Sequence, residues 1–124
     1  MATIALGAQS FERTVTTHDI VFVDFWAAWC GPCRQFAPTY ERASEAHPDI
    51  VFGKVDTEAE RALAAAANIT SIPTLMAFKS GVLVLSQPGA LPAPTLEQVI
   101  AAVREVDVDA LRAEASARQE RVQS

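Results

Sequence analysis

The chain has 124 residues, half of them hydrophobic and 20% charged, with a formal net charge of −5. That length suits one compact domain with a single core, and the composition excludes a disordered chain. The acidic balance, with no Lys/Arg cluster to override it, argues against a binder of nucleic-acid phosphates.

The first residues, Met1-Ala2-Thr3-Ile4-Ala5-Leu6, lack a basic stretch followed by an apolar core and cleavage site, so a cytoplasmic chain without a signal peptide is expected. Ile4 to Leu6 reads as a short edge strand and Phe11 to Thr17 as a weak first helix. Ile20 to Trp26 is a nearly unbroken apolar run, as in a strand covered on both faces, and is far too short to span a bilayer. Gly31-Pro32 and a helical run from Arg34 to Ala46 follow, ended by Pro48 after His47, with a kink expected at Pro38. Ile50 to Asp56 is the next strand. Thr57-x-x-Glu60 has capping-box spacing and predicts an alanine-rich helix to about Ala67. Thr74 to Lys79 and Val82 to Gln87 flank Ser80-Gly81, a two-residue hairpin turn, so these strands pair antiparallel. Thr95-x-x-Gln98 is a second capping signal, for a helix burying Leu96, Val99, Ile100 and Val103.

Strand and helix therefore alternate, which predicts an α/β sheet with helices on both faces, and there is no internal repeat or second domain. Past that pattern, Ala110 to Val122 is rich in Ala, Arg, Glu and Gln, with Glu114 and Arg118 at ion-pair spacing. Its apolar residues are few. The segment reads as a loosely docked helix or a frayed tail, with a partner-binding helix as the alternative.

Cys30 and Cys33 are the only cysteines, in Trp29-Cys30-Gly31-Pro32-Cys33. Two thiols so spaced can close a small disulfide ring, and between a strand end and a helix start the pattern becomes a redox motif. The helix N-terminus favours a thiolate, lowering a cysteine pKa below its free value of ~8.5. In a reducing compartment such a pair reads as catalytic rather than structural. Cys30 is expected toward the exposed loop, with Cys33 deeper. A zinc site would need two more ligands, and neither His18 nor His47 has suitable spacing. Attachment of c-type haem needs histidine where Arg34 stands. No metal site is expected. Asp24 interrupts an apolar strand, where burial would raise its pKa and suit it to proton exchange near neutrality.

Beyond the cysteine motif stand Val23-Asp24-Phe25-Trp26-Ala27, Ala37-Pro38, Lys54-Val55-Asp56, Ser71-Ile72-Pro73-Thr74, Phe78-Lys79-Ser80-Gly81 and Pro88-Gly89-Ala90. In this order and spacing, the chain resembles the thioredoxin family. The resemblance implies the thioredoxin fold, a central mixed β-sheet flanked by helices on both faces, over residues 1–105, with 106–124 a short C-terminal extension, helical or disordered. It implies a protein-disulfide reductase in which Cys30 is the nucleophile and Cys33 resolves, on a loop completed by Trp29, Gly31 and Pro32. Asp24 becomes the general acid/base for Cys33 and Lys54 its electrostatic partner. Ile72-Pro73 becomes a cis bond facing the disulfide, and Trp29, Ile72, Pro73, Gly89 and Ala90 an apolar docking rim, with Trp26 packed beneath the loop.

No bound cofactor is implied beyond the redox-active Cys30–Cys33 disulfide. With no Gly-rich dinucleotide fingerprint in the chain, electrons are expected from an NADPH-dependent thioredoxin reductase and pass to oxidised target proteins. The resemblance further implies a monomer that maintains cell redox homeostasis, with no nucleic-acid or membrane partner. Ala28, Ser71 and Pro88 depart from the family's commonest pattern and alter the shape of the rim. Two rivals remain. One is a disulfide oxidase or isomerase on the same scaffold, against which Gly31-Pro32 speaks as the family's reductase-type pair. The other is a chaperone-like binding module, whose function would survive replacement of both cysteines by serine.

Overall fold

A computed structural model describes residues 2–123. Strands β1 (Thr3–Ala5), β2 (Ile20–Trp26), β3 (Val51–Asp56), β4 (Thr74–Lys79) and β5 (Val82–Pro88) form one sheet in the order β1-β3-β2-β4-β5. β1, β3 and β2 are parallel, whereas β4 runs antiparallel to β2, and β5 to β4. The helices are α1 (Phe11–Thr17), α2 (Gly31–Ala46), α3 (Arg61–Ala66), α4 (Ala93–Glu105) and α5 (Val108–Gln123).

The apolar run of β2 is explained by its central place. Ile20 and Phe22 enter a cluster with Phe36 and Tyr40 of α2, Phe52 of β3 and Leu96, Ile100 and Val103 of α4. Val21, Val23 and Phe25 enter the opposite cluster with Val15 of α1, against which Leu63 of α3 packs. Helices thus cover both faces of the mixed sheet, as expected. Side chains alternate along a strand, so Asp24 shares the face of Phe22 and points toward α2.

Several boundaries differ from the sequence pattern, each for an identifiable reason. The Thr57/Glu60 capping box does not form. Thr57 donates its hydroxyl to the Trp26 carbonyl at 3.0 Å, and Glu60 accepts the Ala8 N–H at 2.9 Å. Asp56 instead accepts the Glu58 and Ala59 N–H groups at 2.9 and 3.3 Å, and α3 starts only at Arg61. Thr95 is not a cap either: α4 begins at Ala93, with Pro94 in a first turn that tolerates a missing N–H. Val99 is half-buried, while Leu96, Ile100 and Val103 are buried. β1 starts one residue early, at Thr3, tied to α2 where Glu41 accepts from Ala2 N and Thr3 Oγ1 at 2.9 and 2.6 Å. α2 continues through Pro38. Ser80 and Gly81, with φ of 51° and 80°, make the hairpin turn that the sequence predicts.

Gly53 illustrates how tightly β1 and β3 close. A Cβ there would collide with the Leu6 side chain, and the Gly53 carbonyl already accepts the Tyr40 hydroxyl at 2.8 Å. Gly53→Ala is therefore expected to lose ~1–3 kcal/mol by overpacking, read as a lower urea midpoint at unchanged slope.

The C-terminal helix is docked rather than frayed at its start. Val108 is buried, and Arg112 donates to the Ser80 carbonyl at 2.7 Å. Lys79 donates to the Arg104 and Val106 carbonyls at 2.5 and 2.9 Å, where α4 gives way to α5. Glu114 and Arg118 form the expected ion pair at 3.1 Å. These anchors sit at the Ser80 end of β4, the length of a strand away from Pro73. Deleting residues 108–124 is thus expected to leave disulfide reduction within about twofold and to lower stability by ~1–2 kcal/mol, chiefly through Val108. Insulin turnover together with urea unfolding checks both halves.

Candidate active site

The end of β2 and the start of α2 build the cysteine loop. Cys30 is the N-cap of α2, with φ −85° and ψ 114°, and its Sγ accepts the Cys33 backbone N–H at 3.2 Å. Its own N–H donates to the Ala27 carbonyl at 3.2 Å, closing the preceding turn. Pro32 occupies the first turn of α2, where its missing N–H leaves no acceptor unsatisfied. α2 therefore begins at Gly31, three residues before the expected Arg34, and Cys33 lies inside it. Cys30 and Cys33 form a disulfide with Cα atoms 5.2 Å apart. The N–H groups of a helix start aimed at Cys30 are what stabilise a thiolate at that atom.

Cys30 is expected toward the exposed loop with Cys33 deeper, and the structure adds that Cys30 is itself covered. Both residues are buried, 4% and 3% exposed, because Ala27, Trp26 and Ile72 pack around the sulfurs. What projects into solvent is Trp29, 66% exposed. Facing it, the Ile72 carbonyl oxygen lies 3.8 Å from Cys30 Sγ, and the Ile72–Pro73 bond is cis. The Gly89 N–H donates to the Pro73 carbonyl at 2.8 Å, with Gly89 at φ +97°, a conformation that favours glycine. Trp29, Gly89 and Ala90 are exposed, Ile72 is half-buried and Pro73 is buried. A neighbouring cavity of about 360 Å³ is lined by Trp29 and Ile72 together with Ile69 and Thr70. Sequence reasoning did not single out Ile69 and Thr70, although they immediately precede Ser71-Ile72-Pro73.

Asp24 is fully buried, and neither carboxyl oxygen has a hydrogen-bond partner among the described residues. Burial raises its pKa from 3.8 to about 7, opposed by the charge of Lys54. The two residues are in register on the parallel strands β2 and β3, and Lys54 Nζ lies 4.9 Å from the centre of the Trp26 ring. Trp26 is half-buried against the cysteines. Tyr40 was also missed by sequence reasoning. Its phenol is held well above its usual pKa by burial and then by the Asp24 charge. The available signal was the helical spacing Cys33, Phe36, Tyr40, which puts all three on one face of α2.

His47 lies away from this centre and joins α2 to α4: its Nε2 meets Glu97 Oε1 at 2.8 Å and its Nδ1 meets Arg104 Nη2 at 3.0 Å. Among the described residues, no group of three His, Cys, Asp or Glu side chains is placed to hold a metal ion. Nor is any helix among them long and apolar enough to cross a membrane.

A disulfide at a helix start, beside exposed Trp29 and half-buried Ile72, can exchange with the disulfide of a bound polypeptide. Fold and site together define a thiol–disulfide oxidoreductase. Residues 2–102 match the family model described as thioredoxin. The chain is 54% identical over 111 residues to a chain described as thioredoxin 2 of Streptomyces coelicolor, covering 90% of this chain and 83% of that one. It is 45% identical over 93 residues to a thioredoxin of Porphyra purpurea, covering 73% and 87% of the two. Of solved structures, a thioredoxin of Plasmodium falciparum matches with a TM-score of 0.75 and 36% identity, over 81% of this chain and 97% of that one. A variant thioredoxin of Halobacterium salinarum matches with a TM-score of 0.77 and 29% identity, over 85% and 93%. The chain belongs to the thioredoxin family. It is a protein-disulfide reductase that works by dithiol–disulfide exchange through its own cysteine pair, without a bound cofactor.

Proposed function

We propose that Cys30 attacks and Cys33 resolves. The Cys30 thiolate attacks one sulfur of a target disulfide; that S–S bond breaks, a mixed disulfide forms, and the first target thiolate leaves. Cys33 then gives its proton to Asp24 and attacks Cys30 Sγ, which expels the second target thiolate and closes the Cys30–Cys33 disulfide. Two electrons have passed from the pair to the target. The observation that carries the order of attack is the Cys33 N–H donated to Cys30 Sγ, a contact that favours negative charge on that sulfur. Asp24 as base is supported by its burial and its pKa of about 7, near the pH at which the proton must move. Lys54 tunes that carboxyl, holding its pKa below what burial alone would set.

Trp29, Ile72, Gly89 and Ala90 dock an extended target segment, over Pro73 and along a loop whose Ile72 backbone can bond it as a strand would. Residues 1–105 act as the thioredoxin domain and 106–124 as an appended helix that the exchange does not need. An NADPH-dependent thioredoxin reductase returns the pair to the dithiol. The protein acts as a cytoplasmic monomer in electron transport and cell redox homeostasis, with neither nucleic acid nor membrane as partner. An insulin-reduction assay driven by NADPH and such a reductase tests the core of this reading. Turnover that depends on both cysteines is expected, and binding that persists after both become serine would favour a chaperone-like module instead.

A further inference from the structure

The first turn of α2 carries a charge that the exchange chemistry does not use. Arg34 is exposed and directly follows Cys33, yet its side chain turns back so that Nη1 donates to the Ala28 carbonyl at 2.8 Å. Nη2 lies 3.9 Å from where a Cβ on Gly31 would stand. The guanidinium therefore rests along the Ala28–Gly31 loop that holds Cys30. A helix dipole disfavours a cation at this end, and the loop carbonyl accounts for its staying. Among the described residues no carboxylate forms an ion pair with Arg34, and residue 28 offers only a methyl group. The cation at Lys54 is engaged over the Trp26 ring. On a molecule of net charge −5, which repels acidic polypeptides on average, Arg34 is a local positive point next to exposed Trp29.

We propose that Arg34 selects among target disulfides, favouring those with an acidic side chain beside the attacked cysteine. The proposal rests on Cys30–Cys33 as the exchange pair. Of the five guanidinium N–H donors one serves Ala28, and with no ion pair to Arg34 among the described residues the others can face a carboxylate carried by the target. An exposed pair of this kind supports a preference of ~2–5-fold. If Arg34 merely clamped the loop, its loss would slow all targets alike.

The test uses pre-reduced full-length protein and three disulfide peptides that differ at one residue beside the cysteine: Glu, Gln or Lys. Second-order rate constants are read from tryptophan fluorescence for the wild type, Arg34→Gln, Arg34→Lys and Arg34→Glu. The wild type is expected to favour Glu over Gln by about threefold and Gln over Lys by a similar factor, with both preferences flattened at about 1 M salt. Arg34→Lys should keep this order, Arg34→Gln should abolish it, and Arg34→Glu should reverse it. The same Glu-to-Gln ratio in the wild type and Arg34→Gln, or an equal slowing of all three peptides, would overturn the selection. Wild-type rates no faster than those of Cys30→Ser would overturn the exchange reading itself, and the proposal with it.

Discussion

Cys30→Ser is expected to abolish reduction of every protein disulfide, while Cys33→Ser accumulates covalent adducts with its targets. The asymmetry follows from where the two sulfurs sit on α2. Cys30 caps the helix and receives the Cys33 N–H at 3.2 Å, so it is the sulfur best able to carry negative charge before attack. Cys33 is inside the first turn, and its accessible partner is Cys30 Sγ, to which it is bonded in the oxidised form. A serine at 30 removes the attacking atom, and turnover falls to the uncatalysed level. A serine at 33 leaves attack intact and removes the only internal thiol that can release the product. Mass spectrometry of acid-quenched mixtures separates the cases. Adducts on Cys33→Ser alone support the assignment, and equal trapping by the two variants would reverse it.

Asp24→Asn is expected to slow resolution of the mixed disulfide on the order of 10²-fold near pH 7, with the first attack little changed. Attack needs only a Cys30 thiolate, which the helix start favours, whereas resolution needs Cys33, inside the first turn, to lose its proton to a base. The same substitution should stabilise the fold, with a pH dependence whose sign is fixed. The Asp24 pKa is about 7 in the folded protein against an unperturbed 3.8. Between these values the folded chain binds the extra proton, so stability falls as pH rises from about 4 to about 7 and is flat above. The full penalty is roughly 4 kcal/mol, since each tenfold change in proton affinity is about 1.4 kcal/mol. The amide of the variant cannot ionise, so its gain over wild type should be near zero at about pH 4 and largest at about pH 8. Urea unfolding at the two pH values measures it. Stopped-flow fluorescence, with Trp26 and Trp29 beside the sulfurs, times the two chemical steps. Unchanged resolution across neutral pH would make Asp24 a structural residue.

Much of the scaffold was legible because its signals are local. The β2 run, the Ser80-Gly81 turn and the break after Ala46 each depend on a few adjacent residues, and each element lies where the pattern puts it. The first capping signal failed for a non-local reason. Thr57 and Glu60 have the right spacing, but tertiary contacts to Trp26 and Ala8 offer their side chains other partners. The second failed locally: Thr95 lies inside a helix that two prolines start earlier than its spacing implies. Burial of Cys30 has a non-local cause like that of the first cap, since Ile72, which packs against it, is far along the chain.

By itself the sequence determined the chemistry of this protein: a cysteine pair at the junction of a strand and a helix, and an acid in an apolar strand. Both are readable because a helix start acts within one turn and a carboxyl in an apolar run is anomalous wherever it folds. Only the tertiary structure decided what those groups meet. It set Lys54 in register with Asp24, brought Tyr40 within reach of its charge, left both carboxyl oxygens without a hydrogen-bond partner among the described residues, and closed Ile72 over Cys30. A pKa set by desolvation and a disulfide covered from another loop depend on packing between distant segments, and local sequence patterns do not encode that packing.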